Sequence, residues 1–390
     1  MKKTMCVVFL IMLAGMLSCF FALKSGETKI AHKSTKSPTT PLIIQLQPFS
    51  SLPSVPKRTP KQETVFASGN ILEDIRRAQE LLESKDTEFE IVEKKGKGKW
   101  EVNDLNVLLA FRRGRLIEYI SVNQKTKRTN RQGYLANFTR LNGVATDFSV
   151  IYPQGCVLLS IKRVVKDEDE LFREVVYTPY SPELDCEILR TAGLSYLKRT
   201  IDAARSELMN VRSRTNPKIS VTEAVPADLA LMLAVIEHID PGRRKRERTE
   251  KLINEVLVTV GANQQNAYRY SISKKGARAL LQIMPKTYVD LCKQYPGALK
   301  SNFIEGTSDP FNACKAALLL FDSNLCVDKS RAHKDPEAIK KYLASAYNCG
   351  AGTTINAIRK HRGLWENKVP KETRSYLKKL ADASKIMNGT

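Results

Sequence analysis

One segment restricts the fold more than any other. Leu229, Met232, Leu233, Val235 and Ile236 make the stretch after Pro226 apolar nearly all round a helix. A helix of that kind needs neighbours on every side, so it implies a helical core larger than itself. Pro226 suits the opening turn, where its missing N–H leaves no bond unmade. Pro241 and Gly242 end the pattern and put Glu237 on the last turn, at a rim where a cleft can open. No Lys or Arg stands three or four residues to either side of Glu237. Burial without a cation disfavours the carboxylate, and Asp240 on the same face disfavours it further. Glu237 is therefore expected to hold a proton near neutral pH and to serve as a general acid.

A chain of 390 residues has room for a second folded unit and for non-globular segments. Residues 70–215 read as a mixed α+β domain. Asn70-Ile71-Leu72-Glu73 is a cap-like start, followed by Ile75, Ala78, Leu81 and Leu82 at helical spacing. Leu116–Val122, Phe148–Tyr152 and Cys156–Val165 are strand-like, with Pro153-Gln154-Gly155 as the turn between the last two. Glu183–Val211 then carries a long amphipathic helical pattern. No catalytic motif stands in this region, which reads as a structural or substrate-docking module. Arg212–Val225 is polar, contains Pro217 and marks a boundary. The second unit, residues 226–380, is mainly helical, so the fold class is α+β.

The N-terminus bears on location. Lys2 and Lys3 precede an apolar run from Met5 to Leu17, so residues 1–23 are laid out as an export signal. Met16-Leu17-Ser18-Cys19 is similar to a lipoprotein cleavage box, which makes Cys19 a candidate for lipidation and membrane anchoring. The alternative is an uncleaved anchor running on through Leu23. Residues 24–69, rich in Pro, Ser, Thr and Lys, read as a tether. The protein is expected to be exported to the periplasm or cell envelope.

The net charge of +22 calls for an anionic polymer, a membrane or a solvated surface. Basic clusters at Lys94–Lys99, Lys125–Arg131 and Arg243–Arg248 lack interleaved aromatic residues, so no nucleic acid is expected. Cys156, Cys186, Cys292, Cys314, Cys326 and Cys349 follow Cys19, an even number that suits disulfides within each region in an oxidising compartment, buried thiols being the alternative. No zinc spacing or HExxH helix is present, so no metal is expected.

Four segments then occur in a telling order. The run Ser273-Lys274-Lys275-Gly276-Ala277-Arg278-Ala279-Leu280-Leu281-Gln282-Ile283-Met284-Pro285 resembles the S-x-x-G-A-x-G-L-x-Q-x-M-P signature of the soluble lytic transglycosylase family. Asp309-Pro310-Phe311-Asn312, Ala346-Tyr347-Asn348-Cys349-Gly350 and Pro370-Lys371-Glu372-Thr373-Arg374-Ser375-Tyr376 are similar to its D-P-x-x-N, A-Y-N-A-G and P-x-E-T-x-x-Y motifs. The resemblance covers the C-terminal two-fifths of the chain and is silent on residues 70–215.

The resemblance implies a lysozyme-like domain acting on the glycan strands of peptidoglycan without a cofactor. It implies Glu237 as catalytic acid and base, with Ser273, Gln282, Met284, Tyr347 and Asn348 lining the glycan cleft. Glu372 and Tyr376 would orient Tyr347-Asn348 or touch substrate, while Asp309 and Asn312 are better read as helix caps. The implied product is a 1,6-anhydro-N-acetylmuramoyl end. The sequence also departs from the pattern. His238 stands where a Ser usually follows the Glu, Ala279 replaces a Gly, and the stretch from Glu237 to Ser273 is long and Arg-rich. These departures favour a rival reading, a non-catalytic peptidoglycan-binding scaffold. A hydrolase using Asp240 as second carboxylate is disfavoured, because residues three apart on one helix leave little room for substrate.

Overall fold

The computed structural model describes residues 65–94, 99–103, 106–142, 145–166, 172–327 and 335–388. The export segment with Cys19, and the tether as far as residue 64, lie outside the described residues. The described residues form one compact unit. The α+β class holds: an antiparallel sheet and its helix come first, followed by a helical region.

Strands β1 (Val65–Phe66), β4 (Asn106–Arg113), β5 (Leu116–Asn123), β8 (Cys156–Lys166) and β9 (Phe172–Tyr177) form an antiparallel sheet in the order β1-β5-β4-β8-β9. Two hairpins, β2 (Glu90–Lys94) with β3 (Lys99–Asn103) and β6 (Leu135–Asn142) with β7 (Ala145–Tyr152), complete the strands. The end of the expected tether is thus part of the sheet, because Val65 and Phe66 pair with Ile117 and Leu116. Successive side chains point to opposite faces. Val107, Leu109 and Phe111 pack with Ile120, Val122 and Ile161, while Leu108 and Ala110 join Ile117 and Leu159 against α1 (Ile71–Glu83). Asn70 caps α1 by accepting the Leu72 N–H at 3.0 Å. The strand-like runs of the sequence appear as β5, β8 and part of β7.

The long helical pattern is α2 (Glu187–Leu208). Its first turn shares a core with the sheet through Leu189, and Leu197, Ile201, Ala204 and Leu208 belong to the helical core. It crosses α5 (Thr249–Asn263) backbone to backbone. A Cβ on Gly193 would stand 2.0 Å from the Leu257 carbonyl oxygen, and one on Gly261 would stand 2.1 Å from that of Leu189. The expected boundary segment is also tied in. Buried Asp322 accepts from the Ser213 hydroxyl at 2.5 Å, the Arg214 N–H at 2.8 Å and the Tyr295 hydroxyl at 2.8 Å.

Between α2 and α5 lie α3 (Val221–Ala224), with a Ser220/Glu223 capping box, and α4 (Ala227–Ile236). Then come α6 (Pro285–Gln294), α7 (Phe303–Ser308), α8 (Pro310–Val327), α9 (Pro336–Cys349), α10 (Ala351–His361) and α11 (Lys371–Asn388). As its composition demands, α4 is central: Leu229, Ala230 and every residue from Met232 to Ile236 are buried. The expected disulfides are not formed; all six described cysteines are free thiols. Cys314 is buried among Ala and Leu side chains of α8 and packs there as a small apolar residue.

Candidate active site

Helix α4 ends on Glu237, its C-cap, whose N–H bonds the Leu233 carbonyl at 3.0 Å. The carbonyls beyond need partners, and α11 supplies one. Buried Lys379 donates from Nζ to the Ile236 oxygen at 2.7 Å and the Ile239 oxygen at 3.5 Å, placing a cation at the negative end of the helix. Three residues earlier on the same face, the Tyr376 hydroxyl donates to Glu237 Oε1 at 2.6 Å. Burial pushes the Glu237 carboxyl up to about 7. The Tyr376 bond and the Lys379 charge pull against that, and Glu372 adds to it. A group balanced there can both give and take a proton at neutral pH. The absence of a sequence-adjacent cation was therefore only half the account: Lys379 arrives from α11, yet burial still decides the direction.

His238, the next residue, and Tyr347 both bond to the loop from Ser271 to Met284, which is held by bridges between Ile272 and Arg278 and between Arg278 and Ile283. Ala279 lies at φ +56° and Gln282 at φ +46°, in left-handed backbone. The family's Gly thus has a conformational reason, and the Ala here adopts the same turn under strain. Gln282 closes the turn by donating from Nε2 to the Ala279 oxygen at 2.8 Å. Met284 is 37% exposed, so it is a cleft-wall candidate and not a core residue. Ser273 is engaged otherwise, its Oγ accepting the Ala277 N–H at 2.9 Å to fix the turn at Gly276.

Helix α9 brings Tyr347, whose hydroxyl donates to the Leu281 oxygen, and Asn348, whose Oδ1 accepts from Thr373 Oγ1 at 2.8 Å. Burial and the Glu237 charge hold the Tyr347 hydroxyl well above its usual range, so it stays a donor. Thr373 is thus the residue that holds Asn348, while Glu372 is exposed and acts on Glu237 through its charge.

Several placements correct or complete the sequence reading. His238 takes a defined position: its Nε2 lies 2.8 Å from the Leu280 oxygen, and its ring stacks on Tyr268 at 3.5 Å and 9°. Burial pushes its pKa down to about 4, so the ring is neutral, and since a carbonyl only accepts, Nε2 carries the hydrogen. Asp240 is exposed and accepts the Arg243 N–H at 2.7 Å. Arg243 is committed to Glu247 and Glu255 at 2.6–2.7 Å, and Arg244 to Asp382 at 3.0 Å, while Lys245, Arg246 and Arg248 are exposed. Asn312 is no cap; it is a buried cross-link, donating to the Tyr288 hydroxyl and the Gly306 oxygen at 2.8 Å. Lys379, Thr373 and Tyr268 are the site residues that sequence reasoning missed. Lys379 left one signal, a Lys set in the apolar stripe Tyr376, Leu380, Ala383.

Residues 246–369 match the family model described as the Transglycosylase SLT domain. No curated protein matches the chain. The matched residues include Ser273, Gln282, Met284, Tyr347 and Asn348; Glu237 precedes them, and Glu372 and Tyr376 follow. Residues 246–369 are thus those of a transglycosylase SLT domain, a lysozyme-like family whose general substrate is peptidoglycan.

Proposed function

We propose that this protein is a lytic transglycosylase that cleaves the bond between N-acetylmuramic acid and N-acetylglucosamine, with Glu237 as both acid and base. The observation that carries the reading is the Glu237 carboxyl itself, half-buried at a helix end, held by Tyr376 and pushed up to about 7. Glu237 gives its proton to the glycosidic oxygen, the C1–O bond breaks, and N-acetylglucosamine leaves as an alcohol. The carboxylate so formed takes the proton of the muramoyl C6 hydroxyl, whose oxygen bonds to C1 and closes a 1,6-anhydro ring. Glu237 ends protonated, and no water is consumed. Gln282, Asn348 and Tyr347 supply the polar lining that sugar hydroxyls and amides need, and Met284 an apolar surface for a ring face.

The scaffold reading rests on His238 and Ala279. Both residues are accommodated with the local turn intact, which favours the catalytic reading. Export, with Cys19 as the anchor, is part of the proposal, since peptidoglycan lies outside the cytoplasmic membrane. Digestion of purified sacculi with mass analysis of the released muropeptides tests the reaction. Products lighter by one water than those of hydrolysis are expected. Reducing ends would make the protein a hydrolase, and a folded protein that releases nothing would be a clamp. Fatty-acid labelling that marks the wild type and spares Cys19→Ala tests the anchor.

A further inference from the structure

The family match stops short of the α+β region, yet that region is clasped to the segment leading into the cleft. Buried Asn263, at the end of α5, uses its carboxamide as a strand would. It accepts the Thr178 N–H and donates to the Thr178 oxygen, each at 2.8 Å. Gln79 of α1 reaches the Thr178 hydroxyl at 3.0 Å and the Ala262 oxygen at 3.3 Å. Tyr270 packs against the sheet. The hydroxyl of buried Tyr177, the last residue of β9, lies close to Tyr268.

Tyr268 itself sits at φ +57°, a conformation that a bulky side chain keeps only where its surroundings impose it. Its ring is the platform on which His238 lies, and His238 in turn donates to the Leu280 carbonyl. Leu280 stands inside the strained Ala279–Gln282 turn, and the next carbonyl, that of Leu281, accepts from Tyr347. Neighbouring groups therefore lead from the sheet, through Tyr177 and Tyr270, to Tyr268, His238 and the Leu280–Gln282 turn. His238 belongs to both ends of that path, since it is also the residue bonded to Glu237 in the chain.

We infer that the α+β region is the mounting of the active site, and that His238, seated on Tyr268, is a positioning residue that fixes the Leu280–Gln282 wall relative to Glu237. This rests on the catalytic reading above. His238 contributes a directed N–H and a flat ring, and it exchanges no proton with the sugar. Small displacements of such a wall are costly, because misplacement by about 1 Å can lower turnover by about a hundredfold.

Three variants of the full-length protein test the inference on soluble, uncrosslinked glycan strands. His238→Phe keeps a flat ring for Tyr268 and loses the donor, and it is expected to lower kcat by about ten- to a hundredfold with KM changed by less than about twofold. His238→Gln keeps a donor and should recover most of that loss. Tyr177→Phe removes the one sheet hydroxyl that lies close to Tyr268, touches no substrate, and should still lower kcat several-fold. Without substrate, the amides of Leu281 and Gln282 should exchange with deuterium faster in His238→Phe and Tyr177→Phe than in the wild type, and nitrogen NMR should find His238 in the Nε2–H tautomer at neutral pH. Folded His238→Phe and Tyr177→Phe proteins with wild-type kcat and wild-type exchange would overturn the inference. Equal loss in His238→Phe and His238→Gln with unchanged exchange would overturn it too, by giving His238 a chemical role. A wild type that cleaves nothing would sink the catalytic reading alone, and the exchange arm would still decide the coupling.

Discussion

Two carboxylates, a buried one in the α+β region and a half-buried one in the helical region, show what separates holding a fold together from preparing a reaction. Asp74 of the α+β region is fully buried on α1. It accepts from the Ser68 N–H at 2.6 Å, the Ser68 hydroxyl at 2.9 Å and the Arg112 guanidinium at 2.8 Å. Burial alone would raise its pKa, but the Ser68 and Arg112 bonds outweigh burial and hold the carboxyl below its usual range. Glu237 of the helical region has one neutral donor, Tyr376, and a cation that is spent on backbone carbonyls, so burial wins and the proton stays. The same desolvation acts on both, and the number and charge of the donors decide the outcome. A fully satisfied carboxylate is a joint. A carboxylate left one donor short is a reagent.

The largest effect expected from this contrast is on turnover. Glu237→Gln should lower muropeptide release by at least about 10²- to 10⁴-fold while sacculus binding and folding persist. Asp74→Asn should leave kcat of the folded protein unchanged and lower stability by about 2–3 kcal/mol in denaturant titration. Loss of kcat in a folded Asp74→Asn protein would erase the distinction.

The second effect is on stability against pH, where the two carboxylates should act with opposite sign. Glu237 has a folded pKa above its unfolded one, so its contribution is complete below about 4.5 and is lost as pH rises through about 7. Glu237→Gln should therefore be more stable than the wild type at pH 8, by about 2–3 kcal/mol, and equal to it near pH 4. The depressed Asp74 works the other way: its stabilisation is present above the ordinary Asp range and fades as pH falls through its folded value. Urea titrations at both ends of the range check the pair.

A third measurement sharpens the account of Glu237. Because the free enzyme must start protonated, kcat/KM should fall above about pH 7. Lys379→Met removes the cation that favours the carboxylate and should move that limb up by about one pH unit, whereas Lys379→Arg should move it little. A limb that stays in place in Lys379→Met would show that the Tyr376 bond alone opposes burial. The smallest effect belongs to the strained turn. Ala279→Gly relieves a left-handed residue at the expense of one buried methyl group, and should stabilise the fold by about 0.5 kcal/mol, read from the urea midpoint.

Much of this was legible in the sequence because the signals were local. The all-round apolar pattern from Leu229 to Ile236 announced a buried helix, and its stop at Pro241 placed Glu237 on a rim. Alternation and β-branching marked β5 and β8. Strand β4 escaped notice because Val107–Phe111 is buried on both faces and reads as a continuous apolar run with no period of two. The partners of Glu237 escaped for another reason. Lys379 and Tyr376 reach it across some 140 residues, and no spacing rule connects positions that far apart. The turn bond of Ser273 was also invisible, because a hydroxyl that serves its own turn and one that serves a ligand look the same in a string of letters. Ala279 was noticed as a departure, and only its φ of +56° says what the departure costs.

The crossing of α2 and α5 at Gly193 and Gly261 has a practical consequence for anyone dissecting the protein. With carbonyls 2.0–2.1 Å from where a Cβ would stand, the two helices interlock, and the stripes that meet at the crossing are closed to water. A fragment begun at Pro226, where the polar stretch suggests a cut, would strip α2 from α5. Val258, Gly261 and Ala262 would then be bared as an apolar strip. Such a fragment should precipitate or self-associate, and its silence in an assay would say nothing about Glu237. The smallest piece worth purifying begins before β1, so the unit that folds extends well upstream of the piece that the family pattern matches.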